Sequence, residues 1–103
     1  MDRTTLQMIC EKKEMGIKAA LVTIVDTRGS TPRKAGSNML IFHDGQSFGT
    51  IGGGCGEAEV RLQALTALDD NKSCLHTVTM LNDVAAKEGM VCGGVMEVFI
   101  KVI

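Results

Sequence analysis

The stretch KAALVTIVDT, Lys18 to Thr27, decides what kind of fold this chain can have. Its β-branched residues favour extended backbone, yet it is too apolar for clean alternation. It therefore predicts a strand covered on both faces and placed centrally in a sheet. Upstream, Leu6, Ile9 and Cys10 recur at helical intervals between Thr4 and Met15, and Gly16 supplies a stop, which predicts an amphipathic helix. Downstream, RGSTPRKAGS (Arg28 to Ser37) gathers Gly, Ser, Thr and the one Pro of the chain, the chemistry of a loop. NMLIF resumes as a strand, HDG has Asp-Gly turn chemistry, and QSFGTI returns as the second arm of a hairpin.

From Gly56 to Leu68, GEAEVRLQALTAL combines good helix formers with an expected apolar stripe of Ala58, Leu62, Leu65 and Leu68. Glu57, Glu59, Arg61 and Gln63 mark the expected wet side. SCLHTVTM alternates Cys74, His76, Val78 and Met80 against Leu75, Thr77 and Thr79, as a strand does, and VMEVFIKVI reads as the final strand. LNDVAAKEGMVCGG between them is irregular or partly helical. About five strands and two main helices, joined partly by hairpins, predict an α+β fold: a single domain over residues 1–103 with a mixed or antiparallel sheet. A chain of 103 residues has room for one modest core.

Composition excludes several function classes. A formal net charge of -1 argues against general nucleic-acid binding, and with no Trp, no Tyr and three Phe there are few aromatic platforms for single strands. No apolar run approaches the ~20 residues of a membrane span. MDRTTLQMICEKKEMG carries charge throughout and lacks a signal-peptide apolar stretch, so the expectation is a cytoplasmic protein. Cys10, Cys55, Cys74 and Cys92 form no C-x-x-C pair and no zinc-finger spacing, which disfavours a disulfide scaffold.

The chemistry concentrates in GTIGGGCGEAEV, Gly49 to Val60. A strand ending in glycines that feed a helix start can aim unpaired backbone N–H groups at an anion, with no Cβ in the way. The same glycines also suit a tight strand-to-helix turn by shape alone, and both readings stand. Neither the dinucleotide pattern, which would need Gly where Glu57 stands, nor the P-loop ending fits. Glu57 and Glu59 complement the helix dipole but would repel an anion if they pointed into the site, so both are expected to face water. Arg28, Arg33 and Lys34, with Ser30 and Thr31, supply cationic and hydroxyl donors on the preceding loop, a solvated loop with ordinary surface charges being the plain alternative, and Asp26 is placed either to hold Arg28 or Arg33 or simply to cap the loop.

Cys55 begins a helix, where the dipole favours its thiolate and makes it nucleophilic and metal-competent. Cys92, in GMVCGG, also sits against glycines, and the two are candidates for one thiol site; burial as small hydrophobes is the plain alternative. Cys10 and Cys74 are expected in the core. Met8, Met15, Met80, Met90 and Met96 are expected as packing, and His43 and His76 as structural or incidental.

VTIVDTRGSTPRKAGSNMLIF, GTIGGGCGEAEV and GMVCGGVMEVFI together resemble the XdhC/CoxI family of accessory proteins for molybdenum hydroxylases. The resemblance implies a protein that handles the molybdenum cofactor, a pterin bearing a phosphate and a dithiolene. Such a protein binds the cofactor, supports its sulfuration and assists its insertion into an enzyme such as xanthine dehydrogenase. On this footing Ser30, Thr31, Arg33, Lys34, Gly52, Gly53, Gly54 and Cys55 are cofactor-binding positions, Cys55 a metal or sulfur contact, and Cys55 and Cys92 the candidate reactive thiols. The implied partners are a molybdenum hydroxylase client, a cysteine desulfurase and a dinucleotide-binding Rossmann domain that many members carry and that a separate chain would supply here. Position 56 is Gly where the resemblance leads one to expect a bulkier residue such as Leu, a loss of about 1 kcal/mol if that position is fully helical.

Three functions follow as expectations: a cofactor chaperone more than a catalyst, a thiol-based sulfur-transfer or redox enzyme using Cys55 and Cys92, and a protein-interaction module. The apolar ending VFIKVI and an exposed sheet edge make a homodimer the expected assembly.

Overall fold

The computed structural model describes residues 3–29, 31, 33–52, 56–79 and 94–103. In chain order these form α1 (Arg3–Glu14), β1 (Ala19–Arg28), β2 (Asn38–Phe42), β3 (Ser47–Gly49), α2 (Glu57–Asp70), β4 (Cys74–Thr79) and β5 (Val95–Val102). Among the described residues the strands make one five-stranded sheet in the order β3-β2-β1-β5-β4, each neighbouring pair antiparallel. The α+β architecture read from the sequence is present, with the antiparallel alternative realised. Neither helix is long and apolar enough to cross a membrane.

β1 is central, as its composition predicts, and it feeds two cores because successive strand side chains point to opposite faces. Ala20, Val22 and Ile24 join Met39, Ile41, Val98 and Ile100 beneath α2. Ala19, on the other face, joins Leu40, Phe42 and Ile9 beneath α1. Double cover is confined to the first half of the strand: Val25, Asp26 and Arg28 are exposed.

Both helices sit at a different rotation from the one their largest apolar residues suggest. On α2 the buried residues are Val60, Ala64, Ala67 and Leu68, while Ala58 is exposed and Leu62 is 63% exposed. Of the expected stripe, Leu68 is buried and Leu65 packs against the core from its rim. Two alanines let the helix approach the sheet closely, and at this rotation Glu57 bonds to Thr50 at 2.7 Å and Glu59 to His76 at 2.8 Å. On α1 the buried pair is Thr5 and Ile9, so Leu6 and Cys10 face outward, contrary to the expectation of a core Cys10. Lys12 continues the inner face, its Nζ 3.0 Å from Asp44 Oδ2, 2.6 Å from Gln46 Oε1 and 5.2 Å from the Phe42 ring centre. Cys74 is half-buried against the α2-side core. Met96 is buried as expected, whereas Met15 is 68% exposed; Met80 and Met90 lie outside the described residues.

Chain reversals follow local chemistry. Gly16 at φ 75 ends α1, with Gly16 N–H donating to Lys13 O and Ile17 N–H to Lys12 O. β5 lies inside the sheet between β1 and β4, so much of the apolar character of VFIKVI is used within the fold; Ile100 is fully buried. Among the described residues the sheet edges are β3 and β4.

Candidate functional site

The antiparallel register brings the strand ends that flank the chain's glycine-rich segments to one end of the sheet. Arg28, the last residue of β1, pairs with Val95, the first of β5, and Val95 also pairs with Thr79, the last of β4. Thr23 pairs with Asn38, which opens β2, and Met39 with Gly49, which closes β3. The 29–37 loop, the turn after Gly49 and the segment leading into Gly94 therefore all join the sheet at this end. β1 continues five residues beyond its pairing with Asn38, from Thr23 to Arg28, an overhang of roughly 15 Å. A β-bulge between Ile24 and Asp26 lies at its base; such bulges re-aim side chains and are common beside functional sites.

The 29–37 loop is tied to this overhang. Ile24 N–H donates to Ser37 O at 2.9 Å and Gly36 N–H to Ile24 O at 2.8 Å, where Gly36 adopts φ 97. Thr31 Oγ1 donates to Arg33 O at 2.8 Å, a local turn that commits the Thr31 hydroxyl proton to the backbone. Arg33 and Lys34 are exposed and form no ion pair among the described residues. Asp26 does approach Arg28, but at 3.8 Å with both side chains more than half exposed, a contact worth little.

Ile51, fully buried, pins the other segment into the α2-side core. Gly52 N–H donates to Thr50 Oγ1 at 3.0 Å, and Thr50 Oγ1 in turn donates to Glu57 Oε2 at 2.7 Å. Arg61 Nη2 donates to Glu57 Oε1 at 3.4 Å. Glu57 thus does not face water: its side chain is only 16% exposed. Composition marked it as a surface acid, and the polar residue that decides otherwise, Thr50, lies across the glycine run, a pairing no helical periodicity signals. Gly56, just before α2, has φ 80 with no side-chain cap bond. It is outside the helix interior, so glycine here suits a left-handed backbone and the expected loss of helix propensity does not apply.

Ser30, Pro32, Gly53, Gly54, Cys55, Cys92 and Gly93 lie outside the described residues, as does the 80–93 segment. Among the described residues no group of three His, Cys, Asp or Glu side chains could hold a metal ion. The histidines are structural in a specific sense: His43 Nε2 lies 2.7 Å from Asp69 and His76 Nε2 2.8 Å from Glu59, one near each end of α2. On the sheet face opposite α2, a cavity of about 200 Å³ is lined by Asp26, Arg28, Thr77, Val95 and Glu97 at the overhang. A second, of about 170 Å³, is lined by Thr5, Asn38, Leu40, Phe48 and Gly49.

The sequence profile of the XdhC and CoxI family matches residues 13–79, which include β1, the 29–37 loop, the glycine turn and α2. The chain belongs to that family. It is 43% identical over 90 residues to the uncharacterised protein YqeB of Escherichia coli K12, covering 87% of this chain and 16% of YqeB. It is 36% identical over 70 residues to the molybdenum cofactor insertion chaperone PaoD of the same organism, covering 68% of this chain and 22% of PaoD. To a probable xanthine dehydrogenase subunit of Bacillus subtilis 168 it is 34% identical over 98 residues, covering 92% of this chain and 28% of the relative. The chain therefore spans less than a third of the length of these relatives. The fold also occurs in a crystal structure of a xanthine dehydrogenase from Bacillus halodurans, with a TM-score of 0.70 at 20% identity over 94% of this chain and 30% of that one.

Proposed function

We propose that this XdhC/CoxI domain binds molybdenum cofactor as cargo and assists its insertion into a molybdenum hydroxylase of the xanthine dehydrogenase kind. The observation that carries this reading is the convergence of the 29–37 loop, the glycine turn and the segment before Gly94 at one sheet end. The kinship with a molybdenum cofactor insertion chaperone supports molybdenum cofactor as the cargo. Arg33 and Lys34, exposed and without an ion pair among the described residues, carry uncommitted positive charge for a phosphate, assisted by Ser30, while Thr31, whose hydroxyl donates to Arg33 O, shapes the loop that presents them. Since Gly52 N–H is already donated to Thr50, Gly52 shapes the turn, and the amides offered to the anion are those of Gly53, Gly54 and Cys55.

Cys55 is the thiol assigned to the metal or its sulfur, with Cys92 as its partner. In this role the domain is a carrier that supports sulfuration, with a cysteine desulfurase as sulfur source, working in the cytoplasm as a homodimer. A sulfur-transfer reading, in which Cys55 itself carries a persulfide or a transient disulfide with Cys92, draws on the same convergence.

Anaerobic purification from a cofactor-producing host, followed by metal analysis and pterin fluorescence, tests the proposal. Molybdenum and pterin close to one per chain are expected. Cargo retained by Cys55→Ser favours the carrier; a modified Cys55 found by mass spectrometry after incubation with a desulfurase favours sulfur transfer. Protein free of both metal and pterin overturns the carrier reading.

A further inference from the structure

We propose that the β4–β5 face turned away from α2 is where a second copy of this chain docks, with the two β5 strands antiparallel across the interface. The inference gives a surface to the homodimer of the carrier reading and rests on that part of the reading alone.

Alternation along β5 puts Met96, Val98 and Ile100 in the α2-side core, so Glu97, Phe99 and Lys101 point to the opposite face. On β4, Val78 is buried in the same core and Leu75 points away from it. α1 packs on the neighbouring half of that opposite face, where Ile9 meets Ala19, Leu40 and Phe42. Register lines up Leu75, Phe99 and Thr23 in one row across β4, β5 and β1. Leu75 is 63% and Phe99 38% exposed. Two large apolar side chains thus stand side by side in water, the mark of a surface that takes a partner.

The charges around this pair select a second copy. Glu97 and Lys101 flank Phe99 on the same strand, and neither forms an ion pair among the described residues. Two copies stacked face to face about a two-fold axis along the Leu75–Phe99 row run β5 against β5 in opposite directions. Phe99 then meets Phe99 and Leu75 meets Leu75, as an isologous contact requires. Glu97 of each copy faces Lys101 of the other. An axis along the strands would instead set Glu97 against Glu97 and Lys101 against Lys101. Exposed ion pairs add little affinity, whereas like charges brought together oppose docking. Apolar contact therefore holds the copies together, and charge chooses their direction. Aligned sheets cross at about 30°, a divergence that the long Glu and Lys side chains can follow.

The test is sedimentation equilibrium of the whole chain as wild type, Leu75→Ser, Phe99→Ser, Lys101→Glu and the double variant Glu97→Lys, Lys101→Glu. Thermal unfolding is followed alongside to show that each variant folds. Wild type is expected to dimerise reversibly, and Leu75→Ser and Phe99→Ser to associate at least about tenfold more weakly. Lys101→Glu sets carboxylates against each other and is expected to weaken association about tenfold; the double variant restores opposite charges and should return to within about threefold of wild type. A monomeric wild type overturns the proposal. So does a dimer indifferent to Leu75→Ser and Phe99→Ser, which would lie on another face. Wild-type association by Lys101→Glu, or a double variant no better than that single one, overturns the antiparallel arrangement. Cofactor content is measured separately, as pterin per chain, so failure of this interface and failure of the carrier reading are told apart.

Discussion

Asp26 and Glu97 stand directly opposite each other across β1 and β5, immediately after the bulge at the base of the overhang. Like charges in that relationship destabilise a sheet, and Arg28, 3.8 Å from Asp26 and largely exposed, offsets little of it. Replacing Glu97 by Gln is expected to raise stability by about 0.5 kcal/mol at low salt, with the gain shrinking as ionic strength rises. Urea denaturation at two salt concentrations measures this; an unchanged or lower midpoint would count against the like-charge account.

The rotation of α2 separates two leucines of the same helix. Leu68 is fully buried and Leu62 is 63% exposed. Leu68→Ala should cost about 2–5 kcal/mol, whereas Leu62→Ala should stay within about 0.5 kcal/mol of wild type. Equal losses in chemical denaturation would mean that the stripe read from the sequence is the buried one.

Gly56 offers a test by sign. In a helix interior, Gly56→Ala would stabilise by about 1 kcal/mol. At φ 80 it should instead destabilise by about 1–2 kcal/mol, because Cβ crowds the backbone in the left-handed region. Thermal or urea unfolding of this one variant distinguishes the two.

Asp44 makes stability depend on pH. The backbone N–H of Gln46, and next the Lys12 side chain, hold its carboxyl below the ordinary carboxylate value. A folded value below the unfolded one means that the unfolded chain binds the proton first. The contribution is therefore present above the ordinary carboxylate value and fades as pH falls through the folded one. Asp44→Asn should flatten that part of the acid limb of the stability curve. Lys12→Met, which leaves the Gln46 bond in place, should flatten it only in part. Superimposable acid limbs for wild type and Asp44→Asn would show that this turn is not the source.

The sheet was legible because period-two patterns and turn residues act locally: Lys18 to Thr27, NMLIF, HDG and the two last strands each carry their own signal. Helix rotation was not. On α2 the alanines and Val60 face the core while the larger Leu62 faces out, and this rotation brings Glu57 and Glu59 to Thr50 and His76, residues that become neighbours only after folding. The exposed Cys10 reflects the same limit on α1, where Lys12 reaches across to Asp44 and Gln46 from the inner face. For the candidate site, the loop and the turn could be recognised separately by composition. Their arrival at one sheet end follows from register, which no single segment encodes.

The most direct measurement is the affinity of molybdenum cofactor for wild-type protein and for an Arg33→Ala, Lys34→Ala double variant, under anaerobic conditions and with pterin fluorescence as the signal. The account predicts saturable binding of one cofactor per wild-type chain, and affinity at least about tenfold weaker in the double variant with an unchanged thermal midpoint. Equal affinity in the two proteins, or no binding by either, would contradict it.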